Sequence, residues 1–448
     1  MITFVLLALF GLACLWLIVD GMRHRGGIFE FGFLAGSGLF GFLFPEALGV
    51  VRSPAMAPEA GVWKALVMSA LCAVAVYLGW KAPVRAQRAA PSRLPFTMKW
   101  MYRCGVACII AGLYGTVKLI ELRGGVLGIN AFEGSHPLVF QGLPVMYVFF
   151  QVYGYLGLVL VALIALRLRS WLLAIPLAVP LSFSLANIVF AGRRGELMLL
   201  CIASGCVLYF ARNITPARLL GVALAVLATL AVFLAPAYRG RTTTGNWGQV
   251  RQISTSDTMH DVLSGERNEF WSMAYLMEIA DTQGLYQFGA GFYNAFVGMF
   301  VPKLIVGDDF KAKLFLNVPT ARTAENDFGW VMPYGMVPTG PYTVFEQFWY
   351  FGVACYFFLA RWMKRHWVRA REGDFWSQVV YSATIFFAVV AVVNDFYAVL
   401  SALIMFILPL KVLTALQASV RQVARPYCYA PAPRPWPRAQ PSSPRNPL

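Results

Sequence analysis

The chain has 448 residues, of which 59% are hydrophobic and only 13% charged, and its formal net charge is +16. A soluble domain carries about 25% charged residues, so a water-soluble protein of this length could not coat its own surface, and disorder is excluded except at the ends. The mean hydropathy of +0.62 points to an all-α polytopic membrane protein, in which a positive excess reports topology rather than a nucleic-acid partner.

A span needs about 20 apolar residues. Eleven are read along the chain, at 2–19, 28–45, 62–80, 100–120, 143–165, 171–190, 197–211, 219–235, 341–360, 376–393 and 396–413. The first begins at Ile2 with no basic stretch before it, and Arg23 and Arg25 follow it. It therefore reads as an inserted helix rather than a cleavable leader. Basic residues then recur in alternate connections: Arg23 and Arg25; Lys81, Arg85, Arg88, Arg93 and Lys99; Arg167 and Arg169; Arg212 and Arg218; Arg361, Lys364, Arg365, Arg369 and Arg371. The tail adds Arg421, Arg425, Arg434, Arg438 and Arg445, and these six segments hold only the acids Asp20, Glu372 and Asp374. The positive-inside rule then expects the N-terminus outside and the C-terminus in the cytoplasm.

A further apolar stretch, 290–306, contains Pro302 and Lys303. A crossing there would carry the basic 361–374 segment and the tail outside, so it reads as re-entrant or interface-lying. The chain then divides into helices one to eight (1–235), a large extracytoplasmic loop (236–340), helices nine to eleven (341–413) and a Pro-rich cytoplasmic tail (414–448) expected to be disordered. The loop carries eight basic and ten acidic residues, with Trp247, Phe270, Trp271, Tyr275, Tyr286 and Trp330 among its aromatics. It is expected to fold into short helices resting on the membrane. No internal repeat is visible, which weighs against a transporter built from related halves. Seven of the eight cysteines fall in apolar stretches and one in the tail, so neither a disulfide framework nor a metal-type spacing is expected.

The informative residues are those that break membrane rules. Arg193 and Arg194, in FAGRRGELMLL, occupy a short turn between spans six and seven on the side that is otherwise poor in basic residues. They read either as a snorkelling pair or as an anion site, with Gly192 and Gly195 letting backbone approach a ligand. Arg239 and Arg241, in APAYRGRTTTG, lie on the same side. Four guanidinium groups near one surface suit a doubly phosphorylated ligand, because each planar fork donates two bonds. Arg251, Arg267 and Arg322 are secondary candidates that also read as ordinary loop charge.

His260, in DTMHDVLSGERNE, reads as a general base or as a surface histidine. Glu346, in PTGPYTVFEQFWYFGV, is an acid inside an expected span. Its cost there requires it to face the bundle interior with a partner, as a base or as one half of a structural pair. The first outer connection, 45–61, holds Glu46 and Glu59 but no aspartate. No metal site is expected, and with no P-loop or dinucleotide motif no cofactor is expected either.

Two segments resemble a known family. AGRRGELMLL is similar to a Gly-x-Arg-Gly segment that opens a span, here Gly192, Arg194 and Gly195. PTGPYTVFEQFWYFGV is similar to a late segment in which a glutamate precedes an aromatic-Gly pair, here Glu346, Phe351 and Gly352. With the span count and the late large loop, the chain resembles the Wzy-type oligosaccharide repeat-unit polymerases of bacterial surface polysaccharide synthesis. Arg239, Arg241 and Arg251 depart from the Arg-x10-Gly spacing of some members.

The resemblance implies a GT-C-like, metal-independent membrane glycosyltransferase of the cytoplasmic (inner) membrane, acting on undecaprenyl-pyrophosphate-linked glycans as donor and acceptor at its outer face. It implies Arg193, Arg194, Arg239 and Arg241 on the diphosphate, Glu346 or His260 as the base, and a flippase and a chain-length regulator as partners. Two alternatives stand beside it: an O-antigen-ligase-type transferase, which leans harder on His260, and a flippase or transporter for lipid-linked sugars.

Overall fold

The computed structural model describes residues 1–53, 57–84, 98–122, 145–191, 194–215, 269–301, 306–320, 338–397 and 399–407, besides isolated positions between 234 and 256. Among them every regular element is helical. Seven helices are long and apolar enough to cross a membrane: Ile2–Met22, Phe31–Arg52, Glu59–Lys81, Met98–Leu119, Phe149–Leu168, Gly195–Arg212 and Phe375–Val393. They coincide with expected spans one to five, seven and ten. This is a helical membrane protein.

The first three of these are α1 (Ile2–Met22), α2 (Phe31–Arg52) and α3 (Glu59–Lys81). Then follow α4 (Met98–Leu122), α5 (Val145–Leu168), α6 (Ala178–Ala191) and α7 (Arg194–Arg212). The last group is α8 (Glu269–Thr282), α9 (Ala290–Phe300), α10 (Asp308–Leu314), α11 (Gly340–Phe348), α12 (Val353–Arg371) and α13 (Phe375–Val393). A last helix, α14, covers 396–397 and 399–407.

The other four expected spans differ in instructive ways. Span six is broken into a 3-10 turn, Leu172–Leu177, and the 14-residue α6. Pro176 inside that turn removes a donor the ladder would need. Span eight lies outside the described residues. Span nine is split into α11 and α12 by a reversal at Trp349. Span eleven is helical over 396–397 and 399–407, and 398 and 408–413 lie outside the described residues, as does the tail. In the stretch read as re-entrant, α9 has 11 residues, about 16 Å of rise, roughly half the hydrocarbon core.

The helices run the way their charges suggest. At one end, Trp63 Nε1 donates to Thr3 Oγ1 (3.0 Å), placing the starts of α1 and α3 together. At the other, Lys81 pairs with Asp20 (2.7 Å) and Lys364 donates to the Ala82 carbonyl (3.0 Å). There too Arg167 bonds Gln378, and Tyr209 stacks on Trp367 with ring centroids 5.3 Å apart. The last turns of α1, α3, α5, α7 and α12 and the first turn of α13 therefore share one end. These are the basic ends that the sequence pattern assigns to a single face.

Packing uses small residues where helices meet most closely. A Cβ on Gly112 of α4 would lie 2.4 Å from the Gly154 Cα of α5, and one on Gly157 2.5 Å from the Gly105 carbonyl oxygen. In an apolar solvent, helix association rests on such close van der Waals contact rather than on expulsion of water. Outward-facing Phe4, Leu9, Leu12 and Trp16 leave the flank of α1 apolar and exposed, as a lipid-facing surface requires.

Gly112→Leu is expected to separate α4 from α5 and to cost about 1–3 kcal/mol, read as a lower thermal midpoint of the detergent-solubilised protein. Gly298→Ala, whose new Cβ meets only Phe315 at 3.8 Å, should leave the midpoint unchanged.

Candidate functional site

The reversal in span nine creates a re-entrant helix. Gly340, at the start of α11, lies against Tyr356 of α12, and Gly352 lies against Val344, so the two helices run antiparallel. A Cβ on Gly352 would come 2.2 Å from the Val344 carbonyl oxygen, and one on Gly340 2.0 Å from that of Ala391. Only glycine fits either place. Between them, Trp349 takes φ 53° and ψ −145°, a region that a bulky side chain occupies only under strain of about 1–3 kcal/mol.

The hairpin fixes how deep α11 begins. Tyr356 touches Cys72 of α3, while Tyr350 lies near Lys64. Eight residues of α3 separate Lys64 from Cys72, a rise of about 12 Å. The segment Pro338–Thr339–Gly340 is buried, so the chain re-enters the bundle and α11 climbs back to its rim. Thr339 caps α11 by accepting from Tyr342 N (3.4 Å), and its hydroxyl donates to Met273 Sδ (2.7 Å).

At the top of α11 stands a buried polar cluster. Glu346 is 6% exposed, and its main-chain carbonyl accepts from Gln287 N (2.9 Å). The fully buried Gln347 uses both ends of its amide. Its Nε2 donates to Gln287 Oε1 (2.7 Å) and to the Tyr397 hydroxyl (3.1 Å), while its Oε1 accepts from Gly291 N at the start of α9 (3.1 Å). Asp395 begins α14 by accepting from Tyr397 N (2.9 Å) and lies 3.5 Å from the Thr343 hydroxyl. The arrangement sets the Asp395 carboxylate beside the Thr343 hydroxyl at the gap between α13 and α14, and Glu346 joins the cluster through its main-chain carbonyl.

A charge latch holds this rim. Lys64 pairs with Glu278 (2.8 Å) and Asp281 (2.5 Å), and Asp281 accepts from the Tyr286 hydroxyl (2.5 Å). Tyr286 packs on Phe345 of α11, which packs on Tyr350. Partial burial raises the Asp281 carboxyl, but the Lys64 ammonium and the Tyr286 hydroxyl outweigh it and hold the group below the usual aspartate range. Burial, then the Asp281 carboxylate, push the Tyr286 phenol up. At the other end of α8, Glu46 of α2 accepts from Phe270 N (2.9 Å), a carboxylate at the positive end of a helix. Phe270, Met273, Leu276 and Met277 are fully buried. This helix of the expected large loop is thus packed among α2, α3 and α11 rather than resting on a surface.

Of the residues singled out in the sequence, Glu346 is placed in this rim, and Arg194 begins α7 with Gly195 facing the Phe386 ring of α13. His260, Arg193, Arg239, Arg241, Arg251, Arg267 and Arg322 lie outside the described residues. Among the described residues no cluster of three or more metal-ligating side chains occurs.

Sequence reading passed over Gln347, Gln287, Tyr397 and the Lys64 latch. Gln347 stood beside Glu346 in the quoted segment, and the Asn394–Asp395 pair interrupts an otherwise apolar run. Their meeting is a tertiary event that spacing does not announce. Comparison of the chain with protein-family models, with curated proteins and with solved structures finds no match.

Two outcomes are expected here. Because the folded Asp281 is depressed, its contribution is full above the unfolded value of about 3.9 and is lost as pH falls through the lower folded value. Thermal midpoints of wild type and Asp281→Asn should therefore differ at pH 7 and converge in acid below about pH 4. Trp349→Gly should relieve the strained turn and raise the midpoint by a few degrees, which differential scanning fluorimetry would read.

Proposed function

We propose that this chain is a membrane-embedded glycosyltransferase. It polymerises undecaprenyl-pyrophosphate-linked oligosaccharide repeat units into a surface polysaccharide at the outer face of the bacterial cytoplasmic membrane. In this reading the N-terminus and the Glu346 rim face outward and the basic end faces the cytoplasm, in keeping with the charge rule.

One observation carries the reading. The two segments that resemble Wzy-type polymerases are far apart in sequence but meet the same helix. Gly195 faces Phe386 and Gly340 presses on Ala391, five residues apart on α13 and so about 7–8 Å along its axis. The first turn of α7 and the glutamate segment thus both pack on α13.

The chemistry follows from that pairing. An acceptor sugar hydroxyl attacks the anomeric carbon of the donor. The bond from that carbon to the diphosphate oxygen breaks, and the diphosphate leaves with the electron pair. Guanidinium groups, Arg194 among them, stabilise the charge that grows on the leaving group. Glu346, as a carboxylate, takes the proton of the attacking hydroxyl. Arg193, Arg239 and Arg241 complete the diphosphate site in this proposal, and His260 is the second candidate for the base. A flippase that delivers the repeat unit and a chain-length regulator are the partners such a reaction needs.

Deletion of the gene, read by gel electrophoresis of surface glycan, is expected to collapse the ladder to a single repeat unit. Glu346→Gln and Arg194→Ala should reproduce that collapse, with chain extension reduced by roughly 100-fold or more while the protein inserts at wild-type level. Loss of every repeat unit, with lipid-linked intermediates accumulating, would instead indicate ligation or flipping.

A further inference from the structure

A cluster of positive charge lies at the opposite end of the bundle from the Glu346 rim, about 25 Å along α3 from Lys64. It sits on the seam between α3 and α12. Down that seam Tyr350 lies near Lys64, Tyr356 touches Cys72, Ala360 meets Gly79, and Lys364 donates to the Ala82 carbonyl (3.0 Å). The two helices therefore run parallel. They press together just before the charges begin, since a Cβ on Gly79 would lie 2.3 Å from the Phe357 carbonyl oxygen.

Three cations converge where the seam ends. Lys364 lies within electrostatic reach of both Lys81 and Arg361. Lys81 pairs with Asp20 (2.7 Å), but among the described residues neither Lys364 nor Arg361 makes an ion pair. Glu30 is the one carboxylate that acts on Lys364, and it already accepts from Trp80 Nε1 (3.1 Å). Burial first, then the Lys81 and Arg361 charges, hold the Lys364 ammonium below the usual lysine range despite Glu30. Like charges gathered with so little neutralisation raise one another's energy, and an anion between them relieves it. Arg361 is half-buried, and its Nε has no hydrogen-bond partner among the described residues. A change of rotamer in this long side chain brings the Nε–Nη edge to an anion in the seam, the geometry that suits phosphate.

The neighbouring surface indicates where that phosphate comes from. Val74 and Leu78 of α3 and Phe358 of α12 are exposed. Val74, Leu78 and Lys81 follow one stripe of α3 at i, i+4 and i+7, as Phe358 and Arg361 follow one of α12 at i and i+3. Each helix thus turns from apolar to basic at the same depth. Hydrocarbon followed by phosphate is the order of groups in a glycerophospholipid read outward from the bilayer centre. A free phosphate would use the cations and ignore the stripes. A zwitterionic lipid would bring its own ammonium into a cluster that already lacks acids.

We propose that this seam binds one anionic glycerophospholipid, its phosphate held by Arg361 and Lys364 with Lys81 beside them, and an acyl chain lying along Leu78 and Phe358. Such a lipid fastens α12, the second arm of the re-entrant hairpin, to α3 at the end opposite the reversal. The site stands whether or not the chain transfers sugars.

The test uses the full chain, delipidated in a neutral detergent, and native mass spectrometry with phosphatidylglycerol, phosphatidylcholine and inorganic phosphate as probes. Phosphatidylglycerol should form a one-to-one adduct and raise the thermal midpoint, and the other two at equal concentration should do neither. Arg361→Gln and Lys364→Gln should each weaken phosphatidylglycerol binding by roughly tenfold. Lys364→Gln keeps a donor for the Ala82 carbonyl, and Lys364→Arg, which keeps the charge as well, should bind like wild type. Arg169→Gln removes a charge from the same end, just past α5, and should leave binding unchanged. Equal binding of phosphatidylcholine or inorganic phosphate, an equal loss in Arg169→Gln, or wild-type affinity in both Arg361→Gln and Lys364→Gln would overturn the assignment.

Discussion

Backbone polar groups inside an apolar slab must be satisfied by the protein itself, and the re-entrant α11 exists under that constraint. Nine residues cannot cross a membrane, so a helix this short is tolerated only where other elements enclose it. Here α3, α8, α12 and α13 do so. The caps complete the accounting. Thr339 closes the start of α11, and Asn394 N donates to the Val390 carbonyl (2.8 Å) where α13 ends. The Tyr356 hydroxyl lies within hydrogen-bond distance of the next orphaned carbonyls, of Ala391 (3.3 Å) and Val392 (3.5 Å). Gly340 and Gly352 then set the spacing, because any side chain at either place would push the hairpin away from the carbonyls it covers.

The rest of the rim is arranged around that hairpin. Once α11 is fixed, Gln347 is presented to Gln287, Gly291 and Tyr397 together, and the starts of α9 and α14 are tied to the same amide. The Lys64 latch works from the other side. It joins α3 to α8 and, through Tyr286 and Phe345, to α11. Exposed ion pairs contribute little by themselves, but this one links three elements at a place where the chain reverses under strain. The strained Trp349 turn lies within this held rim, a pattern common where a site requires one conformation.

α13 connects the two polar regions. Its face toward α7 meets the segment that opens with Arg194, and its far end meets α11. In the proposed reaction this wall aligns leaving group and attacking hydroxyl, one supplied beside α7 and the other beside Glu346.

Much of this was legible from residue types alone. The shortage of charge dictated a membrane protein, and apolar runs of about 20 residues located α1 to α5, α7 and α13, because hydrocarbon thickness sets a length that composition reports directly. The alternation of arginine and lysine grouped the helix ends that the folded chain brings together. The cost of an acid inside an expected span marked Glu346 as one that must face inward. Span nine was different. Its 20 residues, apolar but for Thr343, Glu346 and Gln347, satisfied the length rule, and nothing local distinguishes a crossing from a hairpin. The reversal depends on Gly340 meeting α13 and Gly352 meeting α11, which are contacts between distant segments. The same holds for α8, whose burial among α2, α3 and α11 depends on Glu46 and Lys64 more than 200 residues away in sequence. Periodicity and charge determine which segments are helices and where their ends lie. Which helix turns back, and which polar groups then share a cavity, is decided by long-range packing that no single stretch encodes.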